Sequence, residues 1–330
     1  MGCPGAGGLD SVSLGAWGRE HLKSAAAISQ FNVAIEGFMA TPDEISLLHA
    51  LFYARSNGGM ASFFGMGERH DDEFFEGGAQ RVALSLADEA GDSLWLSRPV
   101  RTVRWSSDGV EAIGDDCRVR ARRAIVAIPP TLAGRIQYNP PLPAARDLLT
   151  QRTPMKSIIK AQVVYPRPFW KEEGLSGRIF MRPASPLLVG LDGSPADGGF
   201  GAIVVFFDSG GSERMHSLAG DVRRDLVVSS LVAALGARAA DPVEYVDRYW
   251  ADEEYSRGDV TYLPPGVWTT YGQALRQAVG PIHWAGAETS VEFAGQMEGA
   301  VRSGYRAADE ALAALGAHGD SEALSRTQIS

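Results

Sequence analysis

The sequence is poor in cysteine, carries no excess of positive charge and has no long hydrophobic run. Its two cysteines, Cys3 and Cys117, cannot build a disulfide framework, and no histidine or cysteine has metal-ligand spacing. A net charge of −9 provides no basic surface for a nucleic acid. Residues 1–8 are glycine-rich rather than basic and apolar, which is unlike a secretory signal. We therefore expect a cytoplasmic protein with no metal and no nucleic-acid or membrane partner.

What is present is the composition of a globular protein, with 45% hydrophobic and 22% charged residues over 330 positions. A chain of this length can bury a large core and more often forms two domains than one. After Leu315 the composition turns polar, which predicts a disordered tail over residues 317–330.

The most informative stretch runs from Gly280 to Gly304. Its apolar segment 282–285 predicts a short buried strand stopped at Gly286. The first N–H groups of a helix are unpaired and its macrodipole is positive there, so an anion over Met297 would be stabilised. The residues alone leave open a closely packed helix after an ordinary turn. The helical stripe expected from Gly295 onwards comprises Ala300, Val301, Gly304, Ala307, Ala308, Ala311 and Leu312.

Two helical signals lie near the start of the chain. The pattern over residues 11–40 is helical. The four residues 41–44, Thr-Pro-Asp-Glu, combine an N-cap, a proline at the first helical position and a capping-box glutamate, so they predict the start of a second helix.

A glycine pair, Gly77–Gly78, precedes a third predicted helix over residues 79–90, with Val82 and Leu86 facing inward. Paired glycines permit a ligand or a strand to approach the backbone closely. A plain turn is the alternative that these residues leave open.

Residues 94–128 predict a β-meander that ends in the apolar run 124–128, before Pro129. A continuous apolar run stopped by proline is typical of a strand buried on both faces, as in a parallel sheet. Because ligands of such sheets bind beyond the carboxyl ends of the strands, we expect one near Pro129.

Lys160 interrupts an apolar segment, residues 157–165, that predicts another strand. A lysine buried there would be costly unless it were paired or functional, and burial would lower its pKa. The alternative is a lysine on the solvated face of a half-exposed strand.

In their order along the chain, the motifs resemble those of the flavin-containing amine oxidase family, which includes monoamine, polyamine and related amino-acid oxidases. The resemblance covers residues 9–315. It rests on Gly77-Gly78, Arg98-Pro99-Val100, Ala127-Ile128-Pro129-Pro130, Asn139-Pro140-Pro141-Leu142-Pro143, Ile158-Ile159-Lys160, Pro168-Phe169-Trp170, Trp250, Tyr255-Ser256, Pro264-Pro265-Gly266, His283 to Thr289 and Gly295 to Ala300.

The resemblance implies an α/β (α+β) fold in which an incomplete Rossmann-like FAD-binding domain is interleaved with a substrate domain of mixed sheet and helices. The FAD-binding domain would comprise residues 76–150 and 254–316. The substrate domain would comprise a helical part, residues 1–75, and a sheet part, residues 151–253.

The resemblance also implies roles for individual residues. Lys160 would hold a water near flavin N5, and Trp250 would flank the flavin ring. Val100 would lie by the adenosine, and the Met297 N–H would face the pyrimidine edge, where a helix end stabilises developing negative charge. The other implied FAD contacts are Gly77, Gly78, Pro129, Tyr255, Gly286, Ala287, Glu288 and Gln296, and the substrate cavity would be lined by Phe64, Asp71, Phe293 and Gln296.

Three departures from the family pattern qualify these expectations. The sequence has no strand, GxGxxG loop and helix for the FAD pyrophosphate. No cysteine occurs in residues 256–260, where relatives tether the flavin, so FAD would be non-covalent. Val260 and Gln296 stand where monoamine oxidases place two aromatic rings, and the Gln296 amide would suit a more polar substrate.

The implied reaction is oxidative deamination of an amine or amino acid with O2, which gives an imine or aldehyde and H2O2. Two alternatives stay open: an inactive truncated relative, and a desaturase-like or porphyrinogen oxidase-like FAD enzyme that acts on carbon–carbon bonds. Without a leading β-α-β unit the sheet would expose apolar edges, which predicts a homo-oligomer or a complementing chain.

Overall fold

The computed structural model describes residues 4–59, 75–180, 187–207 and 209–316. Its α-helices are α1 (Ala6–Asp10), α2 (Leu14–His21), α3 (Ala25–Phe38), α4 (Leu47–Ser56), α5 (Gln80–Ala90), α6 (Pro130–Ala133), α7 (Ala144–Gln151), α8 (Phe169–Glu172), α9 (Ser209–His216), α10 (Gly220–Leu235), α11 (Val267–Tyr271) and α12 (Met297–Ala314). Its strands are β1 (Val100–Ser106), β2 (Gly109–Gly114), β3 (Arg118–Ala121), β4 (Ala124–Val126), β5 (Gln137–Asn139), β6 (Ile159–Tyr165), β7 (Ile179–Phe180), β8 (Leu187–Asp192), β9 (Gly201–Phe207), β10 (Glu244–Tyr249) and β11 (Ile282–Trp284).

The chain divides into two compact units, each made of separate segments. The first unit comprises Met1–Ala50 and Arg152–Thr269, and the second comprises Leu51–Gln151 and Thr270–Ser330. Both units mix helices with sheets, which agrees with the α/β class expected from the sequence. The assignment of FAD and substrate roles to segments of the chain stays a prediction.

The first unit is built on a five-stranded antiparallel sheet with the strand order β10-β6-β9-β8-β7. Side chains of β6 alternate between buried and more exposed positions, as the two-residue period of a strand requires. The buried face includes Val205 and Phe207 of β9, and helix α10 covers it with Val227 and Leu231. The opposite face carries Lys160.

The second unit contains two small sheets. One has the order β3-β2-β1-β5, in which β5 pairs parallel to β1. The other is a parallel pair of three-residue strands, β4 and β11. Val103, Val110, Ile282 and Trp284 form the centre of their shared core.

The prediction that residues 124–128 form a strand buried on both faces is wrong. The strand ends at Val126, and Ile125 and Ile128 are 41% and 38% exposed. Among the described residues β4 pairs only with β11, so its other edge and part of its surface have no protein cover.

Helix limits near the start of the chain also differ from prediction. The segment 11–40 is two helices, and Ser24 caps the second through a bond from the Ala27 N–H to its Oγ. Residues 41–44 form a turn, and α4 begins only at Leu47. The reason is tertiary: the backbone around Ser46 is hydrogen-bonded to Val12 and Leu263, which delays the helix.

The predicted inward face of the third helix is wrong as well. Helix α5 has no buried residue, and Leu86 is 56% exposed. Val82 is only half-buried. The helix therefore forms with an apolar face that no described residue covers.

Candidate functional site

A tight turn follows β11 and is held to the final helix. The Ala285 N–H donates to Val126 O at 3.0 Å, which extends the β4–β11 pairing to the edge of the turn. Gly286 then has φ 130° and ψ 152°, and a Cβ there would lie 2.4 Å from Glu288 Oε1. Only glycine fits this position. The Gly286 N–H donates to Ser303 Oγ at 2.9 Å.

Helix α12 presents its N-terminus without a side-chain cap. The N-cap residue, Gln296, makes no capping bond, and its Nε2 donates instead to Tyr53 Oη at 3.0 Å. The first N–H groups of the helix thus remain directed at whatever acceptor lies beyond Met297. Because the macrodipole is positive at this end, the acceptor favoured here is negatively charged.

The loop that leads into α12 is strained and well anchored. Phe293 has φ 51°, in the left-handed region that side chains disfavour. Its N–H donates to Ser56 O at 2.8 Å, and Asn57 Nδ2 donates to Ala294 O at 3.1 Å. The end of α4 thereby determines where α12 begins.

The predicted small-residue stripe on α12 is partly wrong. The buried residues are Gly299, Ser303, Ala307 and Ala311, whose spacing of four is that of one helix face. The stripe is therefore rotated from the predicted one: Gly304 and Ala308 are half-buried, and Ala300, Val301 and Leu312 are exposed. The packed face lies one position from the expected one because Gly299 meets the backbone of Phe293.

Lys160 and Trp250 lie on neighbouring strands of the first unit. Lys160 is half-buried on the face of the sheet opposite the core, with Nζ 5.3 Å from the centroid of the Phe206 ring. Its cross-strand partner on β10 is Arg248. The Trp250 N–H donates to Ile158 O at 3.0 Å, so the exposed indole follows directly on the same strand pair.

The remaining predicted contacts fall at several places. Gly77 and Gly78 are both left-handed, with φ of 80° and 88°, and precede α5. Val100 begins β1 and Pro129 is the N-cap of α6. Tyr255 is exposed in the first unit. Phe64 and Asp71 lie outside the described residues.

Of the predicted residues, the structure brings together two groups in the second unit. Gly286, Ala287 and Glu288 share one turn, while Phe293, Gln296 and Met297 share the start of α12. Sequence reasoning missed the residues that hold these groups in place: Tyr53, Ser56, Asn57, Arg146, Ser303 and Arg306. A signal was available only for Asn57, which ends a predicted helix beside two glycines.

Comparisons with known proteins give one answer. The family model of flavin containing amine oxidoreductases matches residues 14–312. The chain belongs to the flavin-containing amine oxidoreductase family. The resemblance found in the sequence, and with it an oxidoreductase class and a flavin cofactor for the family, is confirmed.

Similar members of the amine oxidoreductase family are known. A flavin-containing monoamine oxidase of Mycobacterium tuberculosis is 37% identical over 311 residues, which are 93% of this chain and 67% of that protein. An L-amino acid dehydrogenase of Synechocystis is 36% identical over 93% of this chain and 64% of its own length. The structure of cyclohexylamine oxidase from Brevibacterium oxydans matches 96% of this chain and 70% of that one, with 32% identity and a TM-score of 0.90. The chain thus spans about two thirds of its relatives' length.

The described residues fit part of an FAD molecule. The uncapped start of α12 suits the electron-rich edge of a flavin, and the Gly286 turn allows close approach without a side chain in the way. Glu288 Oε1 is buried and has no hydrogen-bond partner among the described residues, so it can accept a bond from a ligand hydroxyl.

Proposed function

We propose that this chain binds FAD non-covalently and carries out, or forms the larger part of an enzyme that carries out, the oxidation of an amine or amino acid with O2. The observation that supports this most is the uncapped N-terminus of α12 at Met297, because it meets the need of a flavin edge that gains negative charge. The second support is the matched family, whose members share this arrangement of sequence motifs.

In this mechanism FAD, when bound, takes two electrons and a proton from the substrate C–H and N–H and passes them to O2, which leaves an imine and H2O2; water then converts the imine to a carbonyl. The Met297 N–H holds the flavin edge, and the Gly286 turn leaves room for the ribityl chain and phosphates. Lys160 orients a water molecule near the reacting atoms, and Trp250 limits movement of the ring from its side.

Gln296 is the residue we propose to favour a polar substrate. Its Nε2 is committed to Tyr53 Oη, which leaves its Oε1 free to accept a bond. Relatives include an amine oxidase and an amino-acid dehydrogenase. An accepting amide oxygen suits the ammonium or amine group that both substrate classes carry, so the choice between them stays for experiment.

The proposal is tested by spectroscopy and a substrate screen. The purified chain is incubated with FAD, separated from free FAD and examined for flavin absorbance. A peroxide-coupled assay with amines and amino acids then tests turnover. Flavin absorbance with peroxide production supports the proposal; a colourless protein rules out catalysis by this chain alone. A flavin-replete protein that gives no peroxide favours an enzyme acting on carbon–carbon bonds.

The role of Lys160 is tested by Lys160→Met, with Gln162→Met on the same outward face of β6 as the matched control. Loss of a group that orients a proton-transferring water is expected to slow turnover about a hundredfold. The dissociation constant for FAD should not change, since Lys160 is proposed to act at the reaction rather than in binding. Equal turnover in both variants would make Lys160 a strand lysine only.

The uncovered apolar face of the second unit supports self-association or a complementing chain. Leu84 and Leu86 on α5 are 53% and 56% exposed, and Trp95 and Leu96 beyond it are 59% and 73% exposed. Large contiguous apolar surfaces in proteins usually mark interaction sites. Analytical ultracentrifugation should show a species heavier than the monomer, and Leu86→Glu with Leu96→Glu should shift it toward the monomer; a monomeric wild type contradicts the proposal.

A cytoplasmic location stays a prediction from the cysteine content. Over the described parts of the chain, no helix has the length and apolar character needed to cross a membrane. Fractionation of cells that express the chain, with detection by antibody, would test the location directly.

A further inference from the structure

Arg146 is a buried cation held without a carboxylate partner. Arg146 on α7 is 3% exposed, and its Nη1 donates to Ala274 O at 2.9 Å and Leu275 O at 3.0 Å. Its guanidinium carbon lies 3.5 Å from the centroid of the Trp284 ring. Among the described residues no carboxylate forms an ion pair with it. Two carbonyls and an aromatic face thus stabilise the charge.

The nearest acid to act on Arg146 is Glu288, in the turn after β11. Burial raises the pKa of Glu288 to about 7, although its own backbone N–H and the charge of Arg146 oppose the shift. Burial lowers the pKa of Arg146 to about 10, so the guanidinium stays charged at neutral pH. Glu288 Oε1 is buried and unpaired among the described residues, which an ionised carboxylate beside a guanidinium would not tolerate.

Other charged and titratable groups reach this turn from neighbouring elements. Tyr138 on β5 contributes a buried hydroxyl that interacts with Arg146. Arg306 on α12 donates through Nη2 to Trp284 O at 2.7 Å and to Thr289 Oγ1 at 3.1 Å. Its charge is paired with Glu310 at 2.8 Å. Arg146 is therefore the cation whose charge acts on Glu288 without a competing acid.

We propose that Arg146 positions the Gly286–Thr289 turn, through its stack on Trp284 and its charge beside Glu288, and that Glu288 is protonated at neutral pH. Arg146 joins α7, the segment 274–275 and β11, so the turn at the end of β11 inherits a fixed starting point. A neutral Glu288 keeps negative charge away from this turn. Arg146 is a positioning residue because it acts through Trp284 and Glu288.

This inference deepens the proposed function and rests on it in one respect: the turn is the place proposed for the phosphates and ribityl chain of FAD. An ionised Glu288 would repel phosphate oxygens across a poorly solvated site. Deprotonation of Glu288 should therefore weaken FAD binding, whereas a glutamine at this position should make binding independent of pH.

Hydrogen exchange tests the positioning role without any cofactor. Arg146→Met should raise exchange in the peptide that covers residues 282–296 at least tenfold, while the β1–β2 segment, residues 100–114, stays unchanged and reports that the unit is folded. Arg146→Lys keeps the charge and should restore part of the protection. Unchanged exchange in residues 282–296, or an equal increase in both segments, would overturn the proposal.

The pH dependence of unfolding tests the proton on Glu288. A raised folded-state pKa stabilises the fold below pH 4.5, and this advantage is lost as pH rises through about 7. Relative to Glu288→Gln, the unfolding constant of the wild type should rise about 300-fold from pH 4.5 to pH 8. In Arg146→Met the rise should end at a higher pH, because the cation that favours ionisation is gone. Parallel profiles for wild type and Glu288→Gln would overturn the proposal.

A titration with FAD at several pH values links the inference to function. The dissociation constant of the wild type should rise up to about tenfold per pH unit above pH 7, while that of Glu288→Gln stays flat. A wild type that binds FAD equally from pH 6 to pH 9 contradicts the proposed role of Glu288. If no FAD binds at any pH, the proposed function fails, and the exchange and unfolding measurements still decide the role of Arg146.

Discussion

The first unit encloses a large apolar core, whereas the second leaves much of its apolar surface exposed. In the first, sheet residues such as Phe207 and helix residues such as Leu231 are fully buried in one cluster. In the second, the core around Trp284 is small, and α5 buries nothing. The features that suit a cofactor, the Gly286 turn and the start of α12, belong to this second unit.

The difference shows which part of the chain is self-sufficient. A unit that covers its own sheet with its own helices needs no further partner to be stable. The second unit has parallel strands of only three residues and an uncovered helix face, which is marginal without added cover. We expect ligands and partners to change the stability of the second unit more than that of the first.

The largest expected effect distinguishes the two apolar surfaces. Phe207→Ala removes a fully buried ring from the first unit and should lower the free energy of unfolding by about 3–5 kcal/mol. Leu86→Ala on α5 should change it by less than about 0.5 kcal/mol, because the side chain is already exposed. Urea denaturation measures both. A comparable loss in the two variants would show that Leu86 is covered in solution.

A pH effect of opposite sign to that of Glu288 is expected in the first unit. Burial lowers the pKa of His49 to about 4, and the charge of Asp10 opposes the shift only in part. The unfolded chain therefore binds the proton first, and stability falls as pH drops from about 6.5 to 4, by about 3 kcal/mol.

The His49 effect is measured by thermal unfolding at pH 4 to 8. His49→Phe should remove the acid-side loss and keep the ring beside Trp268, whose centroid lies 5.6 Å away. His21→Phe, at an exposed position on α2, is the matched control and should leave the profile unchanged. An acid-side loss that persists in His49→Phe would assign it to other groups.

The smallest effects compare two glycines of α12. A Cβ at Gly299 would lie 2.1 Å from Phe293 O, so Gly299→Ala must displace the loop and should cost about 1–3 kcal/mol. No described atom lies within 4 Å of a Cβ at Gly304, so Gly304→Ala should stabilise the helix by about 0.5–1 kcal/mol. Chemical denaturation checks both signs. A stabilising Gly299→Ala would mean that the loop adapts freely.

The sequence predicts elements with strong local signals. The buried strand before Gly286, the helix after it and the strand that carries Lys160 all formed where periodicity and glycine placement indicated. Lys160 lies half-buried on the outer face, which matches the alternative of a half-exposed strand as far as burial is concerned. The family followed from the order of short motifs, none of which is specific alone.

What the sequence could not predict depends on contacts between distant residues. Arg146 meets Ala274 across 128 positions, and Gln296 meets Tyr53 across 243. The helix face of α12 was misjudged because the close approach of Gly299 to Phe293 is set by a strained loop rather than by periodicity. The inward face expected of α5 failed because burial depends on a neighbour that the described residues do not provide.

The central claim, that the start of α12 holds a flavin edge through the Met297 N–H, is tested most directly by Met297→Pro. Proline is tolerated at the first helical position and Gln296 already has the extended backbone that precedes proline, so only the N–H is lost. Met297→Ala keeps the N–H. We predict that the dissociation constant for FAD rises about tenfold in Met297→Pro and is unchanged in Met297→Ala. Equal affinities in the two variants and the wild type would contradict the account.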